Sequence, residues 1–248
     1  MREFTDKVVL ITGAGKGMGH EVALAFSSLG AIVALNDINP LGLDETVEKI
    51  VKTGGKARFY LFDIAKRMPV EGLVAQVLDH FDRIDFLINH ASVKPRAPLL
   101  EMDEWELHRT LDVNLAGAFL TMQQVGRVMR QQGGGAIVNI FSSAFQGDFQ
   151  EGHSAFLASQ IGLIGLTQSA ARELSAYSIR VNAVCNGLIE ALPFSIPGWD
   201  ASLFNQWLGS ATEIQRGDYH GLVSEVLFLC SRAGSSLNGR VIACGSEG

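Results

Sequence analysis

The sequence predicts an α/β fold: a doubly wound parallel sheet of about seven strands, flanked by helices, in a single domain. Three observations lead there. Short β-branched runs recur along the chain, each followed by a segment with helical patterning. The runs are nearly continuous hydrophobics without a strict period of two, as expected of strands covered by helices on both faces. No Pro/Ser-rich linker, low-complexity tract or repeat interrupts the series, and 248 residues are enough for one well-buried core.

The first run, KVVLIT (7–12), leads directly into TGAGKGMG and then the helix-patterned EVALAFSSLG. AIVALN (31–36) is the second. Pro40 after Asn39 marks a helix start, since its fixed φ suits the first turn, and Gly54-Gly55 close that helix. ARFYLF (57–62) and IDFLIN (84–89) are the next runs. A long helix is expected from about Met102 to the stop at Gly133-Gly134-Gly135, followed by the strand AIVNIF (136–141). Over 154–176 small and aliphatic residues point in most directions, so that helix should be buried on more than one face. IRVNAV, ending at Val184, and RVIAC (240–244) complete the set.

Composition narrows the function. The longest apolar stretches, VVLI (8–11) and IGLIGL (161–166), fall far short of the ~20 residues a membrane span needs. The start, MREFTDKVVLITG, places an acid before a β-branched run and has no small-residue cleavage site; it reads as a first strand, and a cytoplasmic location is expected. Cys185, Cys230 and Cys244 are odd in number and widely spaced, with no CxxC or Cys/His cluster, so reduced thiols and no metal site are expected. A net charge of -6 without a Lys/Arg-rich run argues against a nucleic-acid partner and for a small molecule or another protein.

In an open α/β sheet ligands bind beyond the carboxyl ends of the strands. Those ends bring Gly13 and its glycine run, Asp37, Asp63, Asn89, Ser142 and Asn186 to one rim. The spacing Gly13-x-x-x-Gly17-x-Gly19 departs from GxGxxG, but it follows the first strand and opens a helix, where free N–H groups and a partial positive charge suit a pyrophosphate. Asp37, 18 residues beyond Gly19, is placed to accept hydrogen bonds from an adenosine ribose and to repel a 2′-phosphate. That favours NAD over NADP, although Lys16 in the turn pulls the other way. Asp63 either caps the next helix or meets the adenine.

These motifs resemble the short-chain dehydrogenase/reductase family over essentially the whole chain. The matching residues are Thr12-Gly13-(x)3-Gly17-x-Gly19, Asp37, Asn89-x-Ala91, Asp112-Val113-Asn114-Leu115, Ile137-Val138-Asn139-Ile140-x-Ser142 and Arg180-Val181-Asn182-Ala183-Val184. The resemblance implies a seven-stranded Rossmann-type sheet, a nicotinamide dinucleotide held by Gly13, Lys16, Gly17, Met18, Gly19, Asp37, Asp63, Asn89 and Gly187, hydride transfer at a carbonyl or alcohol, and commonly a tetramer. It also implies a substrate lid around 188–216, and a catalytic Asn, Ser and Tyr-x-x-x-Lys pair. Asn114 and Ser142 match the first two; Phe156 occupies the tyrosine position and Gln160 the lysine position.

Positions 156 and 160 are one helical turn apart, so a cation at 160 would lower the pKa of a phenol at 156 and make it a competent acid. Phe156 has no proton to give, and Gln160 has no charge. Other departures fall at the same end: Asn89-His90-Ala91-Ser92 replaces the usual Asn-Asn-Ala-Gly, Asn186-Gly187 the usual Pro-Gly, and Ala191 a frequent threonine. His153, three residues before Phe156, and His90 are candidate substitute donors; Tyr177 and Cys185 read as structural. Two readings stand. One is an NAD-binding, non-catalytic or structural subunit, in a homo-oligomer or beside an active homologue, with NAD held weakly or not at all. The other is an NAD-dependent oxidoreductase with a non-standard proton donor. The clustered departures favour the first.

Overall fold

The computed structural model describes residues 3–142, 151–186 and 220–244. Its centre is one parallel sheet of β1 (Val8–Thr12), β2 (Ile32–Asp37), β3 (Lys56–Leu61), β4 (Phe86–Asn89), β5 (Gly135–Ser142), β6 (Ile179–Asn186) and β7 (Val241–Cys244), in the order β3-β2-β1-β4-β5-β6-β7. β1 pairs with β2 on one side and with β4 on the other, both in parallel. The chain thus winds outward to β3, then crosses back to β4, and the reversal leaves a crevice beyond the carboxyl ends of β1 and β4.

The helices are α1 (Gly17–Ser28), α2 (Leu41–Lys52), α3 (Arg67–Phe81), α4 (Glu104–Leu111), α5 (Ala118–Gln132), α6 (Ser154–Leu174) and α7 (His220–Cys230). Alternate residues of β1 feed separate cores. Val9 and Ile11 pack with Val22 and Phe26 of α1 and Val226 of α7. Val8 and Leu10 pack with Val70, Leu73 and Val77 of α3 and with Met122 and Val125 of α5. On α3 the buried residues Val70, Leu73, Val74 and Val77 recur at helical spacing, so one stripe meets the sheet. Each such side chain contributes roughly 1.5–3 kcal/mol by leaving water.

The long helix expected from Met102 is instead two helices joined by a π-helical segment, Asp112–Gly117. The start moves because Asp103, in extended backbone, accepts a 2.7 Å hydrogen bond from the Glu106 N–H and caps α4. The wider turn buries both Val113 and Asn114, which an unbroken amphipathic period does not anticipate. Gly117 within it lies against Ile64, where an added Cβ would approach that side chain to 2.9 Å. The expected stop holds, with Gly133 left-handed at φ 88. α6 ends at Leu174, with a 3-10 turn over Ser175–Tyr177, and β6 runs on to Asn186. Among the described residues, no helix is long and apolar enough to cross a membrane, and no group of three His, Cys, Asp or Glu side chains is placed to hold a metal.

Candidate functional site

A cleft of about 870 Å³ opens at the carboxyl ends of the strands, lined by Gly13, Lys16, Gly17, Met18, Asp37, Asp63, His90 and Arg109 among others. A second depression, of about 730 Å³ between α1 and the end of α2, lies away from this rim. The glycines of the turn differ in what they do. A Cβ on Gly13 would come within 2.7 Å of the Ala91 Cα, and one on Gly19 would run into the Gly13 carbonyl. Both let backbone pack on backbone. Gly17 has open space where its Cβ would be and a φ of 58, so it serves the turn and leaves the approach to α1 clear. Lys16 is the exposed, extended residue just before α1, and the first turn of that helix carries no acid. Met18 is buried.

Asp37 closes the adjoining wall. One oxygen accepts the Gly15 N–H at 3.1 Å and the other the Asn39 N–H at 3.1 Å. A carboxylate has further lone pairs, so Asp37 is held in place and still able to accept from a diol. Asp63 accepts the Ala65 N–H at 3.0 Å and pairs with Arg109 of α4 at 2.9 Å. It therefore caps a turn ahead of α3 and ties β3 to α4 across the cleft. Sequence reasoning missed Arg109, since nothing in the local pattern of α4 sets it apart.

Asn89 is turned inward. Its amide donates to Asn139 at 2.9 Å, its oxygen accepts from Thr121 at 2.7 Å, and Asn139 in turn donates to Thr167 at 2.9 Å. This buried chain joins β4, β5, α5 and α6; each member left unsatisfied would cost about 1–3 kcal/mol. The rest of the β4–α4 loop is anchored as well. Thr12 accepts from the N–H groups of His90 and Ala91, and Asn114 holds the Val93 N–H at 2.8 Å and its carbonyl at 2.9 Å. Asn114 also donates to Ser159 at 3.0 Å, so the π-helical segment braces α6.

His90 donates from Nδ1 to the Gly13 carbonyl at 3.0 Å, and burial pushes its pKa below the ordinary value, only partly offset by that bond. A neutral ring committed to the glycine turn is a poor acid. His153 is buried in the residue before α6, without capping the helix through its side chain. Phe156 and Gln160 share the buried face of α6. The Gln160 oxygen accepts the Ser142 N–H at 2.9 Å, at the end of β5, and its amide nitrogen lies 3.4 Å from the Ser159 hydroxyl. The Lys94 ammonium sits 5.1 Å from the centre of the Phe156 ring, a cation that the linear sequence does not place there. Tyr177 stacks under Arg130, and Cys185 is buried in β6. Gly187, Ala191 and the expected lid over 188–216 lie outside the described residues.

A fold wound this way, with a glycine turn under the first helix and an acid at the end of β2, has close parallels among known proteins. Residues 7–193 match the family model described as short chain dehydrogenase. The chain belongs to that family. It is 34% identical over 246 residues, 98% of its length and 96% of the other, to the hydroxy(phenyl)methyl succinyl-CoA dehydrogenase subunit BbsD of Thauera aromatica. It is 40% identical over 188 residues, 76% of this chain and 74% of the other, to an uncharacterized oxidoreductase of Thermotoga maritima. The solved structure of an NAD+-bound xylitol dehydrogenase superposes with a TM-score of 0.80 at 30% identity, covering 97% of this chain and 98% of that one. The Rossmann-type sheet expected from the motifs is thus the sheet of a family of oxidoreductases with an NAD-binding fold.

Proposed function

We propose that this chain binds NAD(H) in the cleft beyond β1, β2 and β4, and that its ordinary carbonyl and alcohol dehydrogenase activity is weak or absent. The glycine turn packed on Ala91, the open approach at Gly17 and the braced Asp37 carboxylate fit the dinucleotide, with Lys16, Met18 and Asp63 lining the same cleft. Asp37 favours NAD, because a 2′-phosphate would meet a carboxylate. When bound, the nicotinamide supplies a hydride donor or acceptor. The chain's own share is to orient the carbonyl and to deliver or take a proton, and here the second half fails.

One observation carries the proposal: Gln160 is 3% exposed and spends its oxygen on the Ser142 N–H, while Phe156 is 2% exposed and has no hydroxyl. Position 160 thus contributes a strut between α6 and β5 rather than a charge, and position 156 contributes packing. Loss of a positioned acid costs typically ~10²- to 10⁴-fold in rate. Asn114 and Ser142 remain, and they position groups without supplying a strong acid. In this reading the protein is an NAD-binding subunit in the cytoplasm, in a homo- or hetero-oligomer, a tetramer by family habit. The exposed Trp105 (72%), Phe119 (48%) and Ile161 (40%) on α4, α5 and α6 support a helical contact face.

Calorimetry with NAD+ and NADP+, together with turnover on a panel of ketones and alcohols, tests the proposal. NAD+ binding with turnover at least a hundredfold below an active relative is expected; ordinary turnover sinks it. A second reading, an oxidoreductase with a non-standard donor, is favoured by the Lys94 ammonium beside Phe156. It predicts measurable hydride transfer that vanishes on Lys94→Met or on replacing His153.

A further inference from the structure

The β4–α4 loop is unusually well held for a segment without regular structure. Thr12 fixes its start at His90 and Ala91, Asn114 grips Val93 on both backbone polar atoms, and the Ala97 N–H donates to the Gly152 carbonyl at 3.0 Å. Between these anchors, exposure alternates: Ser92, Lys94 and Arg96 are exposed, whereas Ala91, Val93, Pro95 and Ala97 are partly covered. Two cations therefore stand two residues apart on the open side of a backbone anchored on both sides of them.

Each cation is also steered at its stem. Lys94 holds its ammonium 5.1 Å from the Phe156 ring centre. The Arg96 stem runs beside Gly152, where an added Cβ would come within 2.9 Å of the Arg96 Cγ. Lys94 thus stands over the front of α6, beside the position where the family keeps its phenol, and the Arg96 stem lies at Gly152, two residues ahead of that helix. Among the described residues neither is in an ion pair, the loop 90–100 contains no acid, and Glu151 makes no salt bridge to either one. A pair of cations with no counter-charge among the described residues, next to a buried aromatic ring, is suited to an anion attached to a small organic body.

We infer that the end of this cleft lined by Ser92 and Val93 selects small molecules carrying an oxyanion, a carboxylate or a phosphate ester, through the adjoining Lys94 and Arg96. This rests on reading the cleft as the ligand site of the protein, and it holds whether or not the bound molecule is turned over. The buried ring of Phe156 steadies the Lys94 ammonium, and specificity moves from a proton-donating hydroxyl to charge on the rim.

The test uses the full chain saturated with NAD+ and titrated calorimetrically with matched probes: 4-oxopentanoate against 4-oxopentanamide, and hydroxyacetone phosphate against hydroxyacetone. At about 50 mM salt at least one anion should bind about tenfold more tightly than its neutral partner, and the gap should narrow at about 0.5 M salt as the charges are screened. Which anion leads distinguishes carboxylate from phosphate. Lys94→Met with Arg96→Met should erase the preference and leave NAD+ affinity unchanged; if that double variant does not fold, Lys94→Gln and Arg96→Gln should each reduce the preference about threefold. Equal affinities within both pairs, binding of none of the probes, or a preference that survives the double variant would overturn the inference. Wild-type protein that prefers anions but binds no NAD+ would sink the dinucleotide reading and leave this one standing.

Discussion

Restoring the family's pair, Phe156→Tyr with Gln160→Lys, should raise activity and lower stability together. Gln160 is 3% exposed and accepts the Ser142 N–H at 2.9 Å. Lysine has no acceptor, so that N–H loses its partner, at a cost of about 1–3 kcal/mol. An ammonium also enters a buried site, a penalty of several kcal/mol before relaxation. Allowing for hydration, the apo double variant should lose about 2–4 kcal/mol, or roughly 4–16 °C in Tm for a chain of this size. The new phenol should raise carbonyl reduction by about 10²- to 10⁴-fold. Differential scanning calorimetry and NADH oxidation with a ketone panel measure the two effects. An unchanged Tm would refute the strut assigned to Gln160. No gain in rate, with NAD+ binding confirmed, would show that the defect extends beyond these two side chains.

Three other outcomes follow from the same contacts. Asn114→Ala strands the Val93 N–H and carbonyl, so a urea titration should show about 2–4 kcal/mol lost; a loss under ~0.5 kcal/mol would mean that the loop is held by something else. Gly13→Ala should weaken NAD+ binding at least tenfold because its Cβ meets the Ala91 backbone, whereas Gly17→Ala should cost only the strain of a left-handed residue, about 1–2 kcal/mol, in the same titrations. Stability should also depend on pH. Burial, and then the nearby Lys49, hold the His20 pKa below its ordinary 6.5, and burial does the same for His90. In the window just below 6.5 the unfolded chain carries more protons than the folded one, so stability rises with pH there and is lost as pH falls. Denaturant titrations from pH 7.5 to 5 should show that loss, and His20→Gln should flatten part of it; a flat wild-type profile would contradict it.

The strand set, the glycine stops at Gly54 and Gly133 and the rim carrying Gly13, Asp37 and Asp63 were legible in the sequence, because each depends on local chemistry. Nearly unbroken β-branched runs bounded by turn residues read as covered strands, and a left-handed turn calls for glycine. The break between α4 and α5 was not legible, since a π-helical turn leaves the apolar pattern intact and depends on what Asn114 must reach across the fold. The place of Asn89 at a strand end was legible but its partners were not, since its bonds to Thr121 and Asn139 come from residues 32 and 50 positions away.

By itself, then, the sequence determined the layered α/β architecture, the glycine turn between β1 and α1 and the absence of a phenol and an ammonium at positions 156 and 160. Only the tertiary structure decided what those two positions do instead, a strut to Ser142 and a floor under Lys94, and that Arg109 reaches Asp63 across the cleft. The reason is physical: backbone preferences and hydrophobic patterning act over a few residues, whereas hydrogen bonds and charge pairs form between whichever groups the packed sheet brings together.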